Sequence, residues 1–103
     1  KIGFSLNPET SIMHVMPYLK DLYCVLLLAV HPGQYGAKFL DGTYEKVEML
    51  RMEYKGNIEI DGHQDPKNIM KLKKRGANMF AVGSYLKDAK ILDKAVKELK
   101  VVL

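Results

Sequence analysis

An acidic residue follows a short apolar stretch near the middle of the chain. Asp61 comes directly after Ile58-Glu59-Ile60, a pattern typical of a short β-strand. A carboxylate at the end of a strand in a parallel sheet can bind a divalent metal ion or move a proton as a general acid or base. Asp-Gly is also a common turn pair, because the aspartate side chain bonds to nearby backbone. On this motif alone, the turn is the favoured interpretation.

Glycines follow three of the predicted strands. Gly62 comes after the third strand, Gly83 and Ser84 after the fourth, and the glycine-rich loop from His31 to Phe39 after the second. Glycine lets backbone N–H groups approach a phosphate closely. On neighbouring parallel strands, Gly62, Gly83 and Ser84 would form one phosphate-binding cup, to which the Ser84 hydroxyl adds a donor. The alternative is that each glycine only makes a turn, and for the pair on adjacent strands the two interpretations weigh equally.

Four alternations of strand and helix must position these residues. The predicted strands are Ile2 to Leu6, Tyr23 to Val30, Asn57 to Ile60 and Met79 to Val82. Apolar residues at helical spacing predict a first helix around Ile12 to Leu19, capped by Thr10 or Ser11 and shortened or kinked at Pro17, and a second around Tyr44 to Tyr54. The third helix begins at Pro66, with Asp65 as its cap, and ends at Gly76. The last helix carries on one face Ile91, Leu92, Ala95, Val96, Leu99 and Val102. The continuous apolar run of the second strand indicates burial on both faces. This order predicts an α/β fold with a parallel sheet, either doubly wound or half of a (β/α) barrel.

Composition limits the classes of function. The 103 residues suit one domain, and 48% apolar with 27% charged residues is an ordinary globular balance. The net charge of +4 permits anion binding, but the basic run from Lys71 to Arg75 lacks interleaved aromatic residues, so we expect no nucleic-acid partner. No apolar run approaches the ~20 residues of a membrane span. A single cysteine, Cys24, and no pattern of a signal peptide make the cytoplasm the expected location.

Three blocks of this sequence resemble the C-terminal half of the ribulose-phosphate 3-epimerases and their relatives, the allulose-6-phosphate 3-epimerases. They keep their order and spacing across nearly all of the chain. The first block is Leu6-Asn7-Pro8-Glu9-Thr10 with Pro17-Tyr18-Leu19; the second is Val30-His31-Pro32-Gly33 with Gly36 and Lys38-Phe39; the third is Ile60-Asp61-Gly62 with Gly76-Ala77-Asn78-Met79-Phe80 and Val82-Gly83-Ser84.

The resemblance implies a (β/α)8 TIM barrel to which this chain supplies the last four βα units. It implies epimerisation at C3 of a ketose phosphate, such as ribulose 5-phosphate to xylulose 5-phosphate, by two aspartates that share one divalent metal ion: zinc, iron, manganese or cobalt. Asp61 matches the second aspartate, which is both metal ligand and acid/base. The matched substrate and phosphate positions are Gly33, Gln34, Tyr35, Gly36, Gly62, His63, Gly83 and Ser84. The expected partners are a sugar phosphate and further copies of the chain.

The chain departs from the family pattern at several site positions. Gln34, Tyr35 and Ala37 replace the phenylalanine, small residue and glutamine of the loop, and His63 replaces the second glycine after the aspartate. The bulk of Tyr35 and His63 is expected to crowd the phosphate or alter the sugar preference.

The family's first aspartate and its two histidine ligands lie on strands that have no match in residues 1–103. We therefore expect residues 1–103 to be the C-terminal half of a barrel whose N-terminal half is absent from this sequence, with epimerase activity when that half is present. A truncated chain is favoured over a half-barrel that pairs with another chain, because a lone half leaves open strand edges. The alternatives are another phosphate-binding barrel enzyme, such as a decarboxylase or hexulose-phosphate synthase relative, and a degenerate paralogue that binds a sugar phosphate without turnover.

Overall fold

The computed structural model describes residues 1–33, 37–87 and 92–103. Four strands form one sheet: β1 (Gly3–Leu6), β2 (Cys24–Leu28), β3 (Asn57–Asp61) and β4 (Met79–Ala81). Two short 3-10 segments (Ile12–His14 and Met16–Asp21) separate the first two strands. The helices are α1 (Gly42–Glu53), α2 (Pro66–Arg75), α3 (Ser84–Lys87) and α4 (Leu92–Val102).

All strand pairs of the sheet are parallel, and their spatial order is the order of the chain, β1-β2-β3-β4. The alternating strand faces differ in burial. Val25, Leu27, Ile58 and Ile60 are fully buried, whereas their neighbours in sequence are only partly so. A doubly wound sheet carries helices on both faces. A sheet whose strands follow one another in chain order, with helices on one face, is instead typical of a (β/α) barrel.

The core lies between the sheet and the helical layer. Its buried members are Leu6, Ile12, Val15, Val25, Leu27, Ala29, Val47, Leu50, Tyr54, Ile58, Ile60, Leu72 and Ala77. The other face of the sheet, which we call the open face, carries Cys24, Leu26, Leu28, Glu59 and Asp61, all half-buried. The prediction that the second strand is buried on both faces is therefore wrong for the described residues, because no element covers the open face.

The first crossover differs from the single kinked helix that the sequence predicts. Ser11 caps the first 3-10 segment, as expected, by accepting a hydrogen bond from the Met13 backbone. Pro17 lies in the first turn of the second segment, where its missing N–H costs nothing. The first crossover therefore consists of two short 3-10 segments with no α-helix between β1 and β2.

Helix α2 follows its sequence signals closely. Asp65 and Asn68 form a reciprocal capping box at its start, with Pro66 in the first turn, and Gly76 ends it with φ of 123°. In α4, Ala95 and Leu99 are buried as expected, but Leu92 is 56% exposed and does not join the apolar face. Across the described residues, no helix combines the length and apolar character needed to cross a membrane.

Candidate functional site at the carboxyl edge of the sheet

The carboxyl ends of the strands meet at one edge of the sheet. Leu28 pairs with Asp61, and Asp61 pairs with Ala81, so the last residues of β2, β3 and β4 are in register. Gly62 follows Asp61 directly, and Gly83 lies two residues beyond Ala81. The sheet therefore brings Asp61, Gly62 and Gly83 to the same edge, as the sequence interpretation requires.

Asp61 is the last residue of β3 and lies half-buried on the open face. Its carbonyl oxygen accepts a hydrogen bond of 2.8 Å from the Ala29 backbone N–H, which fixes the strand end against β2. Within the described ranges, its carboxylate has neither a salt bridge nor a side-chain hydrogen bond. The carboxylate is thus placed by the sheet and left available to a ligand on the open face.

The turn after Asp61 is held by the start of α2. His63 has a φ of 43°, in the left-handed region that is uncommon for residues with a side chain. The Asn68 side-chain amide donates to the His63 carbonyl at 2.9 Å, and the Asn68 backbone donates to Asp65 at 2.9 Å. The cap of α2 therefore also fixes the backbone of the Asp61-Gly62-His63 turn.

The two glycines of the predicted phosphate cup have different surroundings. Gly62 has a φ of 118°, and a Cβ there would lie 2.8 Å from Cγ2 of Val30. At Gly83, a Cβ would meet no atom within 4 Å among the described residues, its two chain neighbours apart. Packing and backbone conformation thus explain Gly62, whereas the space beside Gly83 is open to solvent or to a ligand. Ser84 begins α3 directly after it.

Gln64 joins the ends of β3 and β4 behind this turn. It is 3% exposed, and its side-chain amide donates to the Ile60 carbonyl and, at 3.0 Å, to the Ala81 carbonyl. These two bonds join the backbone at the ends of β3 and β4 through one side chain. The relative position of the strand ends that carry Asp61 and Gly83 is therefore fixed by a buried side chain.

The loops after β1 and β2 also meet at this edge. Nδ1 of His31 lies 2.8 Å from a carboxylate oxygen of Glu9, which joins the two loops. Gly33 has a φ of 83°, a conformation that favours glycine. The predicted substrate residues Gln34, Tyr35 and Gly36 fall outside the described residues.

The comparisons with known proteins agree with this arrangement. The family model described as ribulose-phosphate 3 epimerase family matches residues 1–87, which include every predicted site residue. The chain belongs to the ribulose-phosphate 3-epimerase family. Ribulose-phosphate 3-epimerase of Schizosaccharomyces pombe is 30% identical over 96% of this chain and 44% of its own length. The enzyme of Helicobacter pylori strain J99 is 35% identical over 95% of this chain and 48% of its own length. The chain spans about half the length of these curated relatives.

Solved structures confirm the fold. A crystal structure of 3-hexulose-6-phosphate synthase superposes with a TM-score of 0.53 over 98% of this chain and 61% of that chain, at 14% sequence identity. A likeness at this identity shows the fold alone. The predicted class, an α/β fold in which the chain supplies four βα units of a barrel, is confirmed.

A metal site is not complete within the part of the chain that the structure describes. No group of three or more histidine, cysteine or acidic side chains is close enough there to hold a metal ion. Among the described residues, Asp61 therefore belongs to no group that could hold a metal ion by itself. The predicted divalent metal stays a prediction.

Sequence reasoning missed two contacts that shape this edge. Glu9 and His31 stand 22 positions apart, and the only signal for their pairing is that each follows a predicted strand. The link through Gln64 has no sequence signature. A glutamine between the Asp61 turn and the Asp65 helix cap cannot be distinguished in the sequence from an ordinary loop residue.

Proposed function

We propose that this chain provides one wall and one acid/base group of an enzyme that epimerises a ketose phosphate at C3. The proposal rests on membership of the ribulose-phosphate 3-epimerase family together with one observation. That observation is the carboxylate of Asp61 on the open face, at the strand edge that also carries Gly83. The preferred substrate is ribulose 5-phosphate or a close analogue.

Asp61 acts as one of two proton carriers in the proposed reaction. Its carboxylate takes the proton from C3 of the ketose, and the electron pair of the broken C–H bond enters an enediolate that involves C2 and its oxygen. A second acid on the opposite face of the sugar returns a proton to C3. The product has the opposite configuration at C3 and the same composition, but the hydrogen at C3 comes from the second acid and so from solvent. Asp61 can reach only one face of the sugar. The second acid must therefore come from outside the described residues.

The phosphate end of the substrate is assigned to the strand ends that carry Gly62 and Gly83. Backbone N–H groups near Gly83 and Ser84 can bond to phosphate oxygens, since the space beside Gly83 is open. Gly62 contributes by keeping the turn tight against Val30. Substrate binding is also assigned to Gly33, Gln34, Tyr35 and Gly36, and His63 is assigned to the phosphate end of the substrate.

Solvent isotope exchange tests the role of Asp61. The full-length protein is incubated with ribulose 5-phosphate in deuterium oxide, and deuterium at C3 is followed by NMR. We expect Asp61→Asn to reduce exchange at least a thousandfold, because the amide cannot accept the proton. Glu59→Gln is the matched control: it removes a carboxylate from the same face of the same strand, two residues earlier, and should keep most of the exchange.

Two results would contradict this assignment. Exchange at the wild-type rate in Asp61→Asn would show that Asp61 is not the base. Binding of the sugar phosphate by the wild-type protein with no exchange at C3 would favour a protein that binds the substrate without turnover. Measuring bound metal in both variants separates loss of a ligand from loss of a base.

A further inference from the structure

A lysine of α1 holds the turn that follows β1. The Thr10 backbone N–H donates to the Asn7 carbonyl at 3.0 Å and closes the turn of residues 7–10. The Lys46 ammonium donates to three carbonyl oxygens of this turn: to Asn7 at 3.4 Å, to Thr10 at 3.1 Å, and to Pro8. A lysine ammonium has three protons to donate, so the turn accepts all of them.

The contact of Lys46 with the turn is a tertiary one. Lys46 lies half-buried in the second turn of α1, 36 to 39 positions from the carbonyl oxygens that it meets. Burial lowers the pKa of the Lys46 ammonium, and the Glu9 carboxylate of the same turn raises it. A charged donor that has lost water needs other partners, and here the backbone of the turn supplies them. The position of the turn is therefore tied to α1.

Glu9 connects this turn to the loop after β2. Its carboxylate oxygen lies 2.8 Å from Nδ1 of His31. His31 stands two residues before Gly33, which is assigned above to substrate binding. The backbone of this loop is closed by the hydrogen bond of 2.7 Å from the Leu40 N–H to the Ala29 carbonyl. The contact with Glu9 thus acts inside the loop, between its closed base and Gly33.

The strand end that carries Asp61 is fixed by contacts that do not pass through Lys46. The Ala29 backbone N–H donates to the Asp61 carbonyl at 2.8 Å, and the buried Gln64 side chain joins the ends of β3 and β4. A change at Lys46 therefore affects the loops after β1 and β2 and leaves the carboxylate of Asp61 in place. Loss of binding without loss of chemistry raises KM and leaves kcat unchanged.

We propose that Lys46 is a positioning residue for substrate binding. It holds the turn of residues 7–10, and Glu9 of that turn holds His31 and with it the segment that leads to Gly33. Lys46 acts through these residues and not through contact with the sugar phosphate. The inference rests on the proposed function, in which Gly33 binds the substrate.

Steady-state kinetics of the full-length protein with ribulose 5-phosphate tests this role. Lys46→Met should raise KM about tenfold and change kcat by less than about twofold, because it removes charged hydrogen bonds that affect binding alone. Glu9→Ala should raise KM about threefold, since exposed ion pairs contribute less. Lys67→Met is the matched control: Lys67 is exposed in the first turn of the neighbouring helix α2, and its loss should leave KM unchanged.

The double variant of Lys46→Met and Glu9→Ala tests whether the two residues act in series. If Lys46 acts through the turn and Glu9, the double variant should have the KM of Lys46→Met alone. Independent effects would multiply, to about thirtyfold. Glu9 is exposed, so Glu9→Ala should fold and decides the test if Lys46→Met does not.

Isothermal titration calorimetry with ribulose 5-phosphate separates this inference from the proposed function. If the wild-type protein binds the sugar phosphate without turnover, the proposed epimerisation fails, and a Kd about tenfold higher in Lys46→Met still supports the positioning role. Four results would overturn that role: a wild-type KM or Kd in both single variants, a loss confined to kcat, fully multiplied effects in the double variant, or a wild-type protein that binds no ribulose 5-phosphate.

Discussion

Replacement of Gly62 by alanine probes the turn that follows Asp61. The φ of 118° is strained for a residue with a Cβ, at about 1–3 kcal/mol. The new methyl would also lie 2.8 Å from Cγ2 and 3.2 Å from the backbone nitrogen of Val30, and such overpacking costs about 1–3 kcal/mol. The backbone contact cannot relax by rotation of a side chain. We therefore expect the free energy of unfolding to fall by about 2–6 kcal/mol, from the sum of these two ranges.

Urea denaturation of the full-length protein measures this loss. Gly42→Ala is the control, since Gly42 lies in the first turn of α1 with no atom within 4 Å of its Cβ position, and should be neutral or slightly stabilising. A double-mutant cycle with Val30→Ala isolates the clash with the Val30 side chain, because the smaller side chain makes room for the methyl while φ and the contact with the Val30 backbone nitrogen stay unchanged. A favourable coupling of about 1–3 kcal/mol is expected. A loss in Gly62→Ala no larger than in Gly42→Ala, or a coupling of zero, would refute the reasoning.

Two further predictions concern the opposite end of the sheet. Arg51 donates to the carbonyl oxygens of the residues at 54, 56 and 76 at 2.7–2.9 Å. Arg51→Met should therefore lower the free energy of unfolding, measured by urea denaturation, by about 3 kcal/mol. Lys55→Met is the control, because Lys55 is exposed, and should change the free energy of unfolding little. Equal losses in the two variants would show that the hydrogen bonds of Arg51 do not stabilise the fold. Burial, and then the Glu59 carboxylate, raise the pKa of the Cys24 thiol, so iodoacetamide should alkylate it more slowly at pH 8 than free cysteine, and Glu59→Gln should speed the reaction. Because the folded state favours the neutral thiol, the free energy of unfolding should fall as the pH rises past the ordinary thiol pKa. Alkylation of Cys24 at the rate of free cysteine would contradict the raised pKa.

The order of elements and the position of Asp61 could be read from the sequence because local signals agree with the tertiary structure. Asp65-Pro66 predicts a capped helix start and Gly76 its end, and both are confirmed. The short run before Asp61 predicts a strand, and parallel pairing then places the strand ends at one edge. These signals act within a few residues, so no long-range information is needed.

Features that depend on distant residues could not be read in this way. One groove of the helical layer is lined by Met13 and Met16 together with Met49 and Met52, more than 30 positions away. In the sequence, these methionines are indistinguishable from core residues. The half-buried state of the second strand was equally hidden, because an apolar run has the same composition whether one face or both are covered.

The contacts of Arg51 and Tyr54 concentrate at the amino edge of the sheet, away from Asp61. The Tyr54 hydroxyl donates to the Leu22 carbonyl at 2.8 Å, and Arg51 ties the segments that enter β3 and β4. The segments that enter β2, β3 and β4 are thus held to one another by side chains that do not contact the loops at the Asp61 edge. A substitution at His63, which is exposed at the opposite edge, therefore leaves these bonds in place.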